Sequence, residues 1–180
     1  MRIIKDQTAG LVIDIQERLF PYIDDHESIA RNTGILVQGL QVMQIPIILT
    51  EQYTKGLGPT IEPLRALFQT PAPLEKMSFS CCDDQSFTEA LIKLGKKFIV
   101  IAGIESHVCV MQTTLDLLER NFVPVVVDDC VSSRRPNDKK MAMMRMRREG
   151  AIIGTYESVL FELLRYSGTD EFRAVSKLVK

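Results

Sequence analysis

Cys109 is a candidate nucleophile because it follows an abrupt change from apolar to polar residues. The segment IVIAGIESHVCV, residues 99–110, runs through branched apolar residues to Gly103 and then into a glutamate, a serine, a histidine and a cysteine. We predict a helix after this strand, and unpaired N–H groups and the dipole at a helix start favour the nucleophilic thiolate. Free cysteine also packs commonly as a small buried hydrophobe. Position alone leaves chemistry and packing equally open.

Two other residues could supply charge to such a thiol. Asp14 ends the apolar run LVI, and a carboxylate that enters an apolar sheet costs free energy unless it is paired. A cap or turn is the ordinary role of an aspartate at this position. Lys76 lies in the stretch PLEKMSFSCCDD, which is irregular in pattern and in which a lone lysine is normally solvated. Cys81, Cys82 and Cys130 lack the position at a helix start, and we expect them to pack in the core.

Composition excludes several classes of function. The 180 residues are 46% apolar and 25% charged, with a net charge of -1, as is usual for one soluble α/β domain. The densest basic run, MRMRRE at residues 144–149, resembles the outer face of a helix, so we expect no nucleic-acid partner. We also expect no membrane association, because no run approaches roughly 18 apolar residues. The N-terminal apolar stretch is too short for a signal peptide.

The cysteine and histidine residues argue against a metal or a redox centre. The four cysteines include no CxxC pair, and His26 and His107 are the only histidines. Four reduced thiols indicate a reducing compartment, and we predict a cytoplasmic location. We expect no metal and no cofactor.

Apolar runs alternate with segments of helical periodicity. Strands are predicted at 9–15, 45–53, 97–104, 123–131 and 151–155, and helices at 29–43, 86–95, 107–121 and 137–150. Runs that are apolar at every position indicate strands covered on both faces. The fold class predicted is α/β, a three-layer α/β/α sandwich with a mainly parallel, Rossmann-like sheet, formed by residues 1–180 as a single domain.

Local signals define two of the predicted helix ends. Ser86 is the predicted N-cap of the second helix, with a glutamate three residues later and Gly95 as the closing residue. Asn121 is the predicted C-cap of the third helix. Ligands of open α/β sheets bind beyond the carboxyl ends of the strands, which places Asp14 and Cys109 at the same edge.

Three motifs in this order resemble the isochorismatase-like cysteine hydrolases, a superfamily that includes the nicotinamidases. They are LVIDIQ with Asp14, EKMSFSC with Lys76, and IAGIESHVCV with Cys109. The likeness covers nearly the whole chain. It is closest to the isochorismatase-domain-containing subgroup, in which TEQYTKGLGPT, residues 50–60, also has a counterpart.

The resemblance implies a catalytic triad. Asp14 would take the thiol proton and return it to the leaving amine as a general acid–base. Lys76 would support both groups electrostatically and lower the pKa of the thiol, and Cys109 would form a thioester that water cleaves. The resemblance also implies a cis peptide between Ile104 and Glu105, and an oxyanion hole formed by the backbone N–H groups of Glu105 and Cys109.

Departures from the superfamily narrow the expected chemistry. Nicotinamidases carry a metal site with histidines after the second strand, whereas TEQYTKGLGPT contains no histidine. This difference argues against a metal and against nicotinamide as substrate. Isochorismatases that act on isochorismate lack the nucleophilic cysteine, so Cys109 argues against that reaction. Ser106 stands where threonine is commoner and keeps the hydroxyl group.

Substrate contacts are expected from residues near the strand ends. Phe20, Gln52, Tyr53, Phe79 and Ser106 could line a small pocket for a small-molecule substrate, although core packing explains the aromatic residues equally well. His107 is two residues from Cys109, and positions two apart on a helix do not face each other. We therefore interpret it as part of a pocket wall or an interface, not as a base.

These observations favour a metal-independent cysteine hydrolase of a small amide or a related acyl substrate. The alternative is a catalytically silent scaffold that acts through oligomerisation or partner binding, which an intact triad argues against. A thiol redox protein is disfavoured by the lack of a CxxC pair. Because members of the superfamily form dimers or larger assemblies, we expect a homo-oligomer, with the methionine-rich segment 141–146 as a contact face.

Overall fold

A parallel β-sheet forms the centre of the structure, a computed structural model that describes residues 1–69 and 72–180. Its six strands lie in the order β3-β2-β1-β4-β5-β6, and every neighbouring pair is parallel. The strands are β1 (Thr8–Ile13), β2 (Ile47–Gln52), β3 (Leu74–Lys76), β4 (Phe98–Ile104), β5 (Val123–Ser132) and β6 (Ile152–Gly154). The order reverses between β1 and β4, which makes their carboxyl ends the topological switch point where ligands bind in open α/β sheets.

Helices cover both faces of the sheet. They are α1 (His26–Val42), α2 (Thr54–Leu57), α3 (Glu62–Arg65), α4 (Gln85–Leu94), α5 (Met111–Glu119), α6 (Pro136–Glu149), α7 (Tyr156–Leu164) and α8 (Asp170–Leu178). A π-helical segment, Ser106–Val110, precedes α5. No helix in the described ranges combines the length and hydrophobicity that a membrane span requires.

Alternate residues of β4 belong to two separate hydrophobic clusters. Ile99 and Ile101 pack with residues of α4, α5 and α6 on one face. Phe98, Val100 and Ala102 pack with residues of α1, α7 and α8 on the other. Every residue of β1 and β4 is buried, as expected for strands covered on both sides. The predicted three-layer α/β/α fold is confirmed, and the sheet is parallel throughout.

Gly103 allows β4 to approach β1 closely at the switch point. Its φ angle is +150°, in a region that residues with side chains rarely adopt. A Cβ atom at this position would lie 2.5 Å from the carbonyl oxygen of Ile13. A residue with a side chain would therefore push apart the two strand ends that carry Asp14 and Cys109.

The structure corrects the sequence predictions at several elements. Lys76 was predicted in an irregular stretch but ends β3, an edge strand that was missed because it has only three residues. The N-cap of α4 is Asp84, not Ser86, and its carboxylate accepts a hydrogen bond from the Phe87 N–H. Gly95 ends α4 with a φ of 59°, as predicted.

The third predicted helix differs at both ends. It begins with the π-helical segment, and its C-cap is Arg120, with Asn121 following in the left-handed region at a φ of 65°. Helices α7 and α8 had no sequence prediction. Thr155 and Thr169 cap them through hydrogen bonds to the backbone N–H groups three residues later.

Candidate active site

Asp14 and Lys76 form a buried ion pair at the carboxyl edge of the sheet. Asp14 directly follows β1 with a φ of 53°, and Lys76 is the last residue of β3. The Lys76 Nζ atom donates to Asp14 Oδ2 at 2.6 Å, and both side chains are 1% exposed. Desolvation of two charges is costly, so such a pair is weak evidence for stability and calls for another explanation.

The remaining hydrogens of the Lys76 ammonium group also have partners. The Nζ atom donates to the carbonyl oxygen of Ser78 at 3.1 Å and to that of Phe79 at 3.3 Å. Burial acts to lower the pKa of Lys76, but the nearby Asp14 carboxylate and the thiols outweigh it and raise that pKa above its ordinary value. The lysine is therefore a fixed positive charge at neutral pH.

The second oxygen of the Asp14 carboxylate is held by Thr50. Thr50 lies on β2, between β1 and β3, and its Oγ1 donates to Asp14 Oδ1 at 2.8 Å. The backbone reinforces this contact, because the Asp14 N–H donates to the Thr50 carbonyl oxygen at 3.2 Å. Both oxygens of the carboxylate thus receive a hydrogen bond, one from β2 and one from the end of β3.

Cys109 lies against this carboxylate. It sits in the π-helical segment after β4 and is 5% exposed. Burial raises the pKa of the Cys109 thiol well above its ordinary value. The charge of Asp14 and a hydrogen bond with its carboxylate raise it further, whereas Lys76 lowers it. Lys76 thus acts on the thiol pKa in the expected direction, but burial and the Asp14 charge outweigh it, and the thiol keeps its proton next to a carboxylate that can accept it.

The segment before Cys109 is held by the connection between β5 and α6. The Ile104–Glu105 peptide is cis, and the Glu105 side chain is 5% exposed. The Arg134 Nε atom donates to Glu105 Oε1 at 2.5 Å. The His107 Nδ1 atom lies 3.0 Å from Ser133 Oγ, and its Nε2 lies 3.9 Å from a Glu105 oxygen. His107 therefore lies next to the Glu105 side chain, in line with its interpretation as part of a pocket wall.

Ser106 contributes a buried hydroxyl group at the same place. Its side chain is fully buried, and its Oγ has no hydrogen-bond partner among the residues that the structure describes. A buried hydroxyl without a partner carries an unfavourable desolvation free energy.

A cavity of about 540 Å³ adjoins the ion pair on the β3 side. It is lined by Tyr53, Lys55, Glu75, Lys76, Met77, Ser78, Asp83 and Asp84. Neither Asp14 nor Cys109 lines it, so the cavity is an approach to the site and does not contain the thiol.

The five predicted pocket residues lie in different surroundings in the structure. Tyr53 lines the cavity and is 48% exposed. Gln52 contacts its edge, because its Nε2 donates to the Ser78 carbonyl oxygen at 3.2 Å. Phe79 is exposed, and its carbonyl oxygen, not its ring, contacts Lys76. Phe20 packs edge-to-face on His26 at 5.1 Å, which favours core packing for its ring.

Gln16 and Glu51, which were not among the predicted site residues, hold the loop after β2. Gln16 is fully buried, and its Nε2 donates to the Gly58 carbonyl oxygen at 2.6 Å, while its Oε1 accepts from the Gln52 N–H at 2.7 Å. Glu51 Oε1 accepts from the N–H and the hydroxyl of Thr60 at 2.6 and 2.7 Å. These contacts hold residues 50–60 in place. The positions of Gln16 and Glu51 at strand ends were the only available signal.

A metal site is not apparent in this region. Within residues 1–69 and 72–180, no group of three or more His, Cys, Asp or Glu side chains is arranged to hold an ion.

Comparison with known proteins assigns the family. The family described as the isochorismatase domain matches residues 8–158, which include Asp14, Lys76 and Cys109. The chain belongs to the isochorismatase family. Within this family it is 36% identical over 170 residues to isochorismatase domain-containing protein 2 of Danio rerio, covering 94% of this chain and 85% of the relative. The predicted family and subgroup are confirmed.

Solved structures of isochorismatase-like proteins superpose closely on this one. The MAR1 ribonuclease of Caenorhabditis elegans is 37% identical with a TM-score of 0.93, and the match covers 99% of this chain and 92% of that one. The YcaC gene product of Escherichia coli, described as an octameric hydrolase of unknown specificity, is 27% identical with a TM-score of 0.93, covering 99% and 89%. The isochorismatase-like fold therefore extends over the whole chain.

Proposed function

We propose that this isochorismatase-family protein is a hydrolase that cleaves a small amide or a related acyl C–N bond through a thioester on Cys109, without a metal. One observation carries the proposal. The Asp14 carboxylate, which Lys76 binds at 2.6 Å, adjoins the buried Cys109 side chain at the switch point of the sheet. A nucleophile next to an oriented base is the arrangement that covalent catalysis requires.

In the first half of the reaction, Asp14 removes the thiol proton as the Cys109 sulfur bonds to the carbonyl carbon of the substrate. The carbonyl oxygen becomes an oxyanion, which the backbone N–H groups of Glu105 and Cys109 stabilise. Asp14 then delivers the proton to the leaving nitrogen, the C–N bond breaks, and an amine or ammonia departs. Cys109 is left as a thioester.

In the second half, water replaces the amine. Asp14 accepts a proton from the water as its oxygen bonds to the thioester carbon, and the C–S bond breaks when the tetrahedral intermediate collapses. The proton passes from Asp14 to the sulfur, which restores the thiol and releases the acid. The fixed charge of Lys76 stabilises the anionic carboxylate and the transient thiolate.

The buried Ser106 hydroxyl favours a substrate that carries a polar group close to the nucleophile. Its unpartnered Oγ would donate to the substrate as it binds. The enclosure of Cys109 favours a small molecule over a polymer, because the thiol is only 5% exposed.

The similarity to YcaC supports the hydrolase assignment and a homo-oligomer. Met141 and Met144 of α6 are 55% and 57% exposed, and we propose them as part of a contact face, whereas Met146 is buried in the core. We also propose that residues 1–180 act as one domain in the cytoplasm.

A second candidate is RNA cleavage, which the similarity to the MAR1 ribonuclease favours. We rank it below amide hydrolysis. Glu75, Asp83 and Asp84 line the approach cavity together with two lysines, and the net charge of the chain is -1, so no strong positive potential attracts a polyanion. A silent scaffold is the remaining alternative, and the paired, oriented carboxylate argues against it.

The test is a panel of small amides, hydantoin-like and carbamoyl compounds, together with single-stranded RNA, assayed for ammonia release and for RNA cleavage. The account expects ammonia from at least one small compound, complete loss in Cys109→Ala, and retention in Cys82→Ala, a matched control at another buried thiol. RNA cleavage that survives Cys109→Ala, with no ammonia from any compound, would refute the proposal.

A further inference from the structure

Thr50 lies on β2, the strand between β1 and β3, and contacts Asp14, the proposed base. In register, Thr50 pairs with Ile13 of β1 and with Leu74 of β3. Its side chain is fully buried, and its hydroxyl donates to Asp14 Oδ1 at 2.8 Å, opposite the oxygen that binds Lys76.

Cys81 contacts the same Thr50 hydroxyl as a donor. Its Sγ lies 3.9 Å from Thr50 Oγ1 in donor geometry, and it is fully buried. Burial raises the pKa of Cys81 to about 12, so the thiol keeps its proton and acts as a donor. The Asp14 carboxylate has no hydrogen to donate, so the single hydroxyl hydrogen of Thr50 goes to Asp14, and the Thr50 oxygen can accept from Cys81.

Cys81 is itself held in place from α5. Its backbone N–H donates to Thr113 Oγ1 at 2.9 Å. These contacts therefore connect Thr113, Cys81, Thr50 and the Asp14 carboxylate within the core between the sheet and α5.

We propose that Thr50 is a positioning residue for the reaction and that Cys81 orients its hydroxyl, so that together they fix the plane of the Asp14 carboxylate toward the Cys109 thiol. This inference rests on the proposed function, in which Asp14 is the base. It assigns Cys81, the second buried thiol near Asp14, an orienting role instead of a nucleophilic one.

Two donors at opposite oxygens prevent the carboxylate from rotating about its Cβ–Cγ bond. Lys76 alone fixes only Oδ2, so without Thr50 the group can turn and its free lone pair no longer faces the sulfur. The consequence is slower proton removal from Cys109, not weaker substrate binding.

The experiment measures the alkylation rate of Cys109 by iodoacetamide at neutral pH, read by intact mass and peptide mapping, in wild type and in three variants. Thr50→Val keeps the shape and the β-branch but removes the hydroxyl, Thr50→Ser restores it, and Cys81→Ala removes the orienting thiol. We expect alkylation to be roughly tenfold or more slower in Thr50→Val, within about threefold of wild type in Thr50→Ser, and intermediate in Cys81→Ala.

Once a substrate is found, the same variants separate positioning from binding. Thr50→Val should lower kcat with KM unchanged, and Thr50→Ser should rescue it. If Thr50→Val does not fold, as judged by thermal unfolding, Thr50→Ala and Cys81→Ala provide the same comparison.

The outcomes distinguish the two proposals. Slow alkylation in Thr50→Val with rescue by Thr50→Ser supports the positioning role. Wild-type alkylation rates in both Thr50→Val and Cys81→Ala would overturn it while leaving Cys109 as the nucleophile. An unreactive Cys109 in the wild-type protein would overturn the proposed function itself.

Discussion

The Lys76 ammonium group lies 2.6 Å from the Asp14 carboxylate although the two residues are 62 positions apart, and both side chains are almost completely buried. The strand order makes this contact possible, because β2 lies between β1 and β3 and the chain brings both strand ends to one edge. A buried pair of this kind often contributes no net stability. We therefore interpret it as functional, and the following predictions test its consequences.

Replacing Lys76 with Met should destabilise the fold by about 3–5 kcal/mol, because it leaves the Asp14 carboxylate buried without its cation. The free energy of unfolding from urea denaturation checks this value. The double variant Asp14→Asn with Lys76→Met removes both charges and should be more stable than Lys76→Met alone. Equal stabilities of the two variants would mean that the pair is not coupled.

Stability should fall above about pH 9. The pKa values of the four thiols, Cys81, Cys82, Cys109 and Cys130, are raised above the ordinary value of 9.0, with burial as the main cause. Below that value both folded and unfolded chains are protonated, and above it only the unfolded chain loses protons. Each thiol then removes up to about 1.4 kcal/mol per pH unit.

Urea midpoints at pH 8 and pH 10, measured with a reducing agent present, test this dependence on pH. The variant Cys82→Ala should show a shallower decline than wild type because it lacks one of the four groups. Equal midpoints at the two pH values would contradict the buried, protonated state of the thiols.

Replacing Arg134 with Gln should reduce the reactivity of Cys109. It leaves the buried Glu105 carboxylate without the guanidinium group that contacts it at 2.5 Å. An unpaired negative charge beside the proposed oxyanion position opposes the charge that develops there. We expect roughly a tenfold loss of turnover, as for a lost hydrogen bond to a charged group.

The double variant of Arg134→Gln with Glu105→Gln should recover most of this loss, because it removes the uncompensated charge. Arg135→Gln is the matched control at an adjacent, exposed arginine. If the double variant is as slow as Arg134→Gln, the effect is not electrostatic.

Replacing Gly103 with Ala should disrupt the site and the fold together. The new Cβ would lie 2.5 Å from the Ile13 carbonyl oxygen at a φ of +150°. Gly95→Ala, at a φ of +59° with no atom within 4 Å, should lose only about 1–2 kcal/mol from backbone strain. Denaturation curves of the two variants give their losses in the free energy of unfolding. Gly103→Ala should lose more than Gly95→Ala, and similar losses would show that β1 and β4 do not approach each other closely at Gly103.

Continuous apolar runs made the central strands predictable. β1 and β4 are buried at every position, and the pattern of branched residues in the sequence already indicated this burial. The edge strand β3 has three residues, too few for any periodicity. Helix α7 carried an available signal, since Thr155 and Ser158 form a capping box before apolar residues at helical spacing.

The candidate site was predictable only in part. Asp14, Lys76 and Cys109 were each ambiguous from their own spacing, and it was the family motifs that grouped them. Thr50 gave no signal, because a threonine in a strand ordinarily reflects β-propensity. The raised pKa of the Cys109 thiol was not predictable, since a helix start and a nearby lysine are visible in a sequence but the depth of burial that outweighs them is not.

The most direct test of the account is the rate at which limiting iodoacetamide labels Cys109 at neutral pH, located by peptide mapping, in wild type and in Asp14→Asn. The account predicts that Cys109 is labelled before the other three thiols, because Asp14 can accept its proton as the sulfur attacks. It also predicts a loss of roughly a hundredfold or more in Asp14→Asn, the scale of general base catalysis. Labelling of Cys109 at the same rate in both proteins would contradict the claim that Asp14 activates this cysteine as the nucleophile.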